Sequence, residues 1–577
     1  MKTVRKPLAR RDGEKQNPDP LLPGEIGANQ KCDWQSIQLE LEDTAPDCGL
    51  NMAHAAVTRH AHSPAGHHTA LRWLAGEGHF REWTFVELER QSNRMANVFK
   101  HLGVAPGQVV ATLCGRVPEL YLAALGALKA KAVYCGLYAS YGPEPVLHRL
   151  AASNTAVLLT TRRLYAKIRD LLPRLPSLAY IIAIDDPGEY NQEMRSLQTL
   201  MDEASDNFEL PPTPPETPAL LHFTSGTTGM PKGVIHVHEA VLHHILTGRD
   251  VLDLDTSDVY WCTADPGWVT GVAYGFLAPL MIGATTIVDY EEFDALRWLR
   301  ILADERVSVW YTSPSAIRRL MTLPFRPRQV YGLDALRLVF SVGEPLHHGA
   351  VRWGQASLGV PIRDTWWQTE TGAIMIANHP GEEIQPGAMG RTVSGIEAEV
   401  LRPPDGETIE VCPAGEVGEL ALASGWPSMF RGLLGDDEAY RRRFAGRWYL
   451  SGDLVRRDTN GRFWFAGRAD DMIKTAGHMV SPFEVESVLL EFPNVWEAGV
   501  IGVPDGLLGQ RVKAYICLHP DVSADEHLNS RIMAFARERL GPALAPREIE
   551  FVLAMPKNRA GKIVRKKLET GDNRKTS

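Results

Sequence analysis

The chain has 577 residues, 44% of them hydrophobic and 23% charged, which leaves room for more than one packed unit and matches an ordinary soluble globular protein. With 61 basic against 70 acidic residues the formal charge is −9, and no long basic run interrupts it, which argues against a nucleic-acid-binding role. The seven cysteines are odd in number, scattered and without a CxxC pair, so a reduced, cytoplasmic setting is expected.

Residues 1–35 are polar and rich in Pro, Gly and charge, and read as a disordered tail, with order beginning near Trp34. No apolar stretch follows the first lysines and arginines, so this is not a secretory signal. Thr84 and Glu87 form a capping box that opens a helix. Phe85, Leu88, Met95, Phe99 and Leu102 recur along it until Gly103 supplies a stop. Then follow a strand at 109–113, a helix at 118–129, a strand at 132–136, a helix at 145–152 and a strand at 156–160. The alternation predicts an α/β fold with doubly wound, largely parallel sheets and helices on both faces. An acidic, proline-rich connection at 204–218 leads to a short buried strand at 219–223. A second α/β stretch runs over 259–371.

Within that stretch, residues 267–288 carry no charge and are long enough to cross a bilayer. Gly267, Gly271, Gly275, Pro279 and Gly283 interrupt the run, so a buried helix followed by a strand through 285–288 is expected instead. From 387 to 465 short apolar runs at 398–401, 418–422 and 463–465 alternate with Gly, Pro and Asp turns, the pattern of a small β-rich unit. Gly467-Arg468-Ala469-Asp470-Asp471 marks a boundary. Beyond it a helix at 482–491, strands at 497–503 and 513–518 and a helix at 524–540 predict a compact α+β unit. The expected division is a tail over 1–35, a large unit over 36–469 and a small one over 470–577.

The strand at 219–223 runs into Thr224-Ser225-Gly226-Thr227-Thr228-Gly229-Met230-Pro231-Lys232-Gly233, with three glycines, four hydroxyls and one lysine. Glycines bring backbone N–H groups close to an anion, and the hydroxyls and Lys232 add donors and charge, so this loop suits a polyphosphate. It is not a Walker loop, because the four-residue gap and Gly-Lys-Ser/Thr are missing. Asp364-Thr365-Trp366-Trp367-Gln368-Thr369-Glu370-Thr371-Gly372 places paired indoles beside a carboxylate. Magnesium takes one or two carboxylates together with phosphate oxygens, so Glu370 is a candidate Mg²⁺ ligand. Histidines cluster at His60, His62, His67 and His68, expected in a surface loop, and at His236, His238, His243 and His244, expected on a helix surface. Neither cluster has a familiar zinc spacing.

Together these strings resemble the adenylate-forming enzymes: acyl-CoA synthetases, luciferases and peptide-synthetase adenylation domains. The tryptophan pair, with Trp261-Cys262-Thr263-Ala264-Asp265-Pro266-Gly267-Trp268-Val269-Thr270-Gly271, is most similar to AMP-forming acetyl-CoA synthetases, and the similarity covers about residues 50–568. The resemblance implies that Thr224, Ser225, Gly226, Thr227, Thr228, Gly229 and Lys232 hold the phosphates of ATP. It implies that Gly343, Glu344 and Pro345 meet adenine, that Asp364, Thr365, Trp366, Gln368 and Thr369 help bind the nucleotide, and that Asp453 and Arg468 hold the ribose. Trp367 would be the floor of the acyl pocket, lined also by Val269, Thr270 and Val342. Lys562, in Pro556-Lys557-Asn558-Arg559-Ala560-Gly561-Lys562, matches the catalytic lysine.

The implied reaction has two steps. Carboxylate attacks the α-phosphate of ATP and pyrophosphate leaves. The small unit then turns about Asp470, Lys562 withdraws, and Lys474, Ala476 and Gly477 line the path of CoA. Acylation of Lys562 by a lysine acyltransferase, reversed by a deacylase, would switch the enzyme off by removing its charge. Met479 and Ser481 depart from the family, which usually has Arg at the first position and, in its shorter form, Gly at the second. Acetate is the expected acid. The alternatives are propionate or a small hydroxy acid, a broader short-chain acyl-CoA synthetase, a module that loads a carrier protein, or a silent nucleotide-binding homologue.

Overall fold

The structure is a computed structural model that describes residues 33–44, 49–185, 194–224, 231–402, 409–475, 478–506, 508–557 and 563–570. Trp34–Thr44 is the first helix. Thr84 accepts from the Glu87 backbone while Glu87 reaches back, and this box opens Phe85–His101. Pro118–Lys129 is buried all round, as its mostly apolar sequence requires.

Two large sheets form the bulk of the chain. Across the first, the strands run Gly432–Leu433, Lys232–Val237, Pro218–Thr224, Val133–Leu137, Val109–Leu113, Val157–Thr160, Tyr180–Ala183 and Arg195–Ser196. From Pro218–Thr224 to Arg195–Ser196 the pairing is parallel, and Lys232–Val237 returns antiparallel beside Pro218–Thr224. In the second, Thr285–Asp289, Val259–Cys262, Val309–Thr312, Leu338–Ser341 and Ile362–Trp366 lie side by side and parallel.

Strand alternation sorts the core into layers. Val110 and Tyr134 of the first sheet face the same buried cluster as Tyr260, Tyr311 and Phe340 of the second, and the helices Phe85–His101, Pro118–Lys129 and Ala240–Asp250 fill the space between. The neighbouring residues Val109, Ala111 and Leu113 turn outward to a second cluster, and Trp261, Trp310 and Val339 to a third. The charge-free run becomes the helical segments Val269–Val272, Ala273–Leu277 and Ala278–Ile282, followed by Thr285–Asp289 of the second sheet, a largely buried run as expected. Gly283, at φ +88, ends its helical part in the left-handed region. Among the described residues no helix is long and apolar enough to cross a membrane.

A smaller sheet of Ala398–Leu401, Val417–Ala423, Trp448–Arg457 and Phe463–Arg468 is the expected β-rich unit. After residue 470 comes a separate sheet. It contains Ile473–Thr475, Val495–Asp505, Gly509–Leu518 and Glu548–Phe551, packed by the helices Pro482–Leu489 and Glu526–Leu544 around their own core.

The second histidine group corrects an expectation. His236, His238, His243 and His244 are buried rather than surface residues. Only His243 and His244 lie on the helix Ala240–Asp250, which is enclosed between the two sheets; His236 lies on the strand Lys232–Val237 and His238 in the turn after it. His236 meets the carbonyls of Thr369 (2.8 Å) and Ser428 (3.1 Å), and His244 meets that of Gly372 (3.0 Å), so these rings brace the back of the 369–372 turn. In the first group His62, His67 and His68 are exposed as expected, but His60 is half-buried against Phe85 and reaches the Met281 carbonyl.

Candidate active site

Parallel strands of an open α/β sheet present ligands at their carboxyl ends. Val259–Cys262, Leu338–Ser341 and Ile362–Trp366 end along one edge of the second sheet, and the candidate residues follow directly: 263–270, 342–345 and 367–372.

Asp453 is the hub of the opening. It lies in Trp448–Arg457, paired with Arg468 of Phe463–Arg468. One carboxylate oxygen accepts from Trp366 Nε1 (2.8 Å) and Gln368 Nε2 (3.1 Å); the other accepts from Arg468 (2.8 Å). A carboxylate offers about four acceptor sites, so three are taken and one remains for an incoming hydroxyl. Tyr449 donates to Gln368 Oε1 (2.8 Å) and fixes that amide. Arg468 also meets Asp470 at 3.2 Å. Burial opposes its charge, but the two carboxylates outweigh this and raise its pKa. Arg468 thus links Asp470 to Asp453.

Beside this lies an apolar cluster. Trp367 is buried, with Tyr274 edge-on at 5.1 Å between ring centres. A one-way chain of hydrogen bonds holds its indole: Trp367 Nε1 donates to Tyr311 Oη (3.0 Å), Tyr311 to Thr365 Oγ1 (2.7 Å), and Thr365 to the Ser341 carbonyl (2.8 Å). Val342 shares this cluster and Val269 packs on its edge; Thr270 follows in Val269–Val272 and is half-buried. Burial pushes Asp364, beside Thr365, up to about 8, although Ser341 and the Thr365 N–H hold it lower than burial alone would.

On the other side of the opening is a cavity of about 670 Å³ lined by Phe223, Lys232, Asp436, Arg442 and Arg443 among others. Lys232 Nζ meets Asp436 at 2.9 Å, and Arg443 meets Glu370 at 3.5 Å, a loose pairing that leaves the carboxylate open to a better partner. Three cations around one cavity suit a polyanion. Thr224 ends its strand opposite Lys232. Ser225, Gly226, Thr227, Thr228 and Gly229 lie outside the described residues, as do Ala476, Gly477 and Lys562.

The remaining candidates are placed as follows. Gly343, at φ +94, turns the chain after Leu338–Ser341. Glu344 is held by Arg318 (2.6 Å) and Ser315, so its backbone rather than its carboxylate is free to meet a ligand; Pro345 is half-buried beside it. The Thr369 carbonyl faces inward to His236. Lys474 is exposed on Ile473–Thr475 and its N–H donates to Gln510. On either side of 558–562, Lys557 and Ile563 bridge one another. Sequence reasoning missed Tyr311, and Arg442 with Arg443, although Arg441-Arg442-Arg443 was visible as a charge run.

The AMP-binding enzyme family matches residues 57–434, and the AMP-binding enzyme C-terminal domain matches residues 484–562. The chain is 40% identical over 522 residues to the acetyl-coenzyme A synthetase of Bacillus subtilis (strain 168), covering 90% of each protein. It is 33% identical over 560 residues to the acetyl-coenzyme A synthetase of Escherichia coli (strain K12), covering 91% of this chain and 84% of that one. Among solved structures, that of an anthranilate CoA ligase in complex with anthranoyl-AMP superposes with a TM-score of 0.82 at 30% identity, over 91% of this chain and 98% of that one.

Proposed function

The chain belongs to the AMP-binding enzyme family, and from that membership we infer an AMP-forming acetate–CoA ligase. It activates a carboxylic acid with ATP to an acyl adenylate and pyrophosphate, then passes the acyl group to CoA. The observation that supports this best is the Trp366–Gln368–Asp453–Arg468 network, together with the buried Trp367 next in the chain and the cationic cavity.

In this reading the ribose takes the remaining acceptor capacity of Asp453, with Arg468 beside it, and adenine lies along the 343–345 turn. Thr365, Trp366, Gln368 and Thr369 form the wall between nucleotide and acid, and buried Asp364 supports it. Lys232, Arg442 and Arg443, with residues 224–229, neutralise the leaving pyrophosphate. That charge compensation and the in-line placement of the acid carry the rate, since the side chains form no covalent bond. Glu370 fits Mg²⁺, because one loosely held carboxylate plus phosphate oxygens is the donor set this ion takes; bound there, it would neutralise phosphate charge. Lys562 brings a further positive charge in the first step. In the second, residues 470–577 turn about Asp470 and bring Lys474, Ala476 and Gly477 to line the CoA path.

The acid is acetate because Trp367, fixed by Tyr311 and walled by Val269, Thr270 and Val342, closes the acyl pocket behind a methyl group. One methylene more costs about 1–3 kcal/mol in such a pocket. Propionate is the second substrate. We place the enzyme in the cytoplasm, where a lysine acyltransferase and deacylase acting on Lys562 would regulate it. The test is pyrophosphate release with formate, acetate, propionate, butyrate and lactate, with and without CoA. Acetate should lead, and AMP and thioester should appear together only with CoA. Equal rates for acetate and butyrate would overturn the substrate, and release that never needs CoA would overturn the second step.

A further inference from the structure

One polar cluster outside this site joins the two units of the chain. Among the described residues, His347, His348 and Glu491 each bring a ligating atom within 4.8 Å of the others. The histidines stand at the start of His348–Trp353 in the large unit; Glu491 follows Pro482–Leu489 in the small one. His348 Nε2 and Glu491 Oε1 are 3.4 Å apart. Two ligands on one tetrahedral Zn²⁺, at bonds of about 2.0–2.1 Å, stand about 3.3 Å apart. The two imidazole rings lie 3.9 Å apart, centre to centre. The Gly349 N–H donates to His347 Nδ1 (3.1 Å), so Nε2 carries the proton and donates to the Ser487 carbonyl (3.1 Å). A carbonyl on one ring nitrogen is the outer contact that orients a metal-bound histidine. Both ring nitrogens of His347 thus have a contact, and an ion would replace either the Gly349 amide at Nδ1 or the Ser487 carbonyl at Nε2.

Two imidazoles and a carboxylate, with a fourth position for water, are a donor set for a borderline divalent cation. Two cations, Arg318 and Arg352, act on His347. A third, Arg539, lies 3.5 Å from the other Glu491 oxygen; its side chain is 56% exposed and rests over the Phe535 ring.

We propose that His347, His348 and Glu491 bind one Zn²⁺ ion across the seam between the large and small units, and that the ion tethers the small unit in the arrangement seen here. Tethering opposes the rotation that the proposed two-step reaction needs, so that consequence rests on the proposed function; the binding itself does not.

The test uses untagged full-length protein freed of metal by a chelator. Zn²⁺ is titrated by calorimetry and Co²⁺ by visible absorbance. One ion per chain is expected, with the intense visible bands of tetrahedral Co²⁺, and at least tenfold weaker binding in H348A and in E491Q, each checked for native circular dichroism. No stoichiometric binding, or equal binding by wild type and both variants, overturns the site. In a second arm, Zn²⁺ is added to turnover with saturating Mg²⁺, ATP, acetate and CoA. The wild type should slow and E491Q should not. Equal slowing of both overturns the tether. Binding without any ligase turnover would count against the proposed function and leave the site standing.

Discussion

Replacing Tyr311 by Phe removes one oxygen from the middle of the chain that runs from the Trp367 indole to the Ser341 carbonyl. The indole N–H then loses its acceptor at 3.0 Å, while Thr365 keeps its own bond to Ser341 at 2.8 Å. A buried N–H without a partner costs about 1–3 kcal/mol. Trp367 is buried with Tyr274 against its face, so no water replaces the lost oxygen. We expect kcat/KM for acetate to fall roughly 5- to 150-fold, and the preference for acetate over propionate to narrow as the indole loosens. Trp367→Phe removes the donor itself. In the double variant the bond can be lost only once, so the two effects should fall short of additivity by about 1 kcal/mol or more. Pyrophosphate release with acetate and propionate measures all four proteins. Additivity within about 0.3 kcal/mol would refute the claim that Tyr311 positions the pocket floor.

Further outcomes follow from the same geometry. Trp367→Gly opens the floor and should move the best acid from acetate toward butyrate or longer; an unchanged order in the acid panel removes Trp367 from the pocket. Asp453→Asn keeps the size but loses the charge that faces Arg468, and hydrogen bonds to charged groups are worth about 1.5–3 kcal/mol, so KM for ATP should rise roughly 10- to 150-fold with KM for acetate little changed. Burial, partly offset by its two carbonyl contacts, lowers His236 to about 4, so the unfolded chain takes up a proton below pH 6.5 before the folded one does. The stability this represents, up to about 3 kcal/mol, is intact above pH 6.5 and is lost as pH falls toward 4. Urea midpoints at pH 7, 6 and 5 should fall, and fall less in His236→Gln; parallel curves would contradict it.

The elements were legible where local pattern and burial agreed. Thr84 with Glu87 located its helix, and Pro118–Lys129 coincides with the sequence reading, because caps and a Pro at the first turn act locally. Asp453 and Arg468 were singled out only through the family resemblance, as separate ribose contacts; the partners of Asp453, Trp366 and Gln368, lie 87 and 85 residues from it, a separation no periodicity reports. The buried histidines were misplaced for a related reason. A helix rich in His reads as polar, yet Ala240–Asp250 is enclosed by both sheets and its rings find backbone carbonyls there. No motif in the sequence sets Tyr311 apart, and only strand alternation across the sheet aims its hydroxyl at Trp367.

The account rests on a lysine that serves one half of the reaction and leaves for the other. Lys562→Ala is measured in two single-turnover experiments: acetate with ATP to acetyl-AMP, and supplied acetyl-AMP with CoA to acetyl-CoA. The account predicts that the first falls by a hundredfold or more, on the order of 3 kcal/mol of transition-state charge stabilisation, while the second stays within a few-fold of wild type. An equal loss in both, or none in the first, would contradict it.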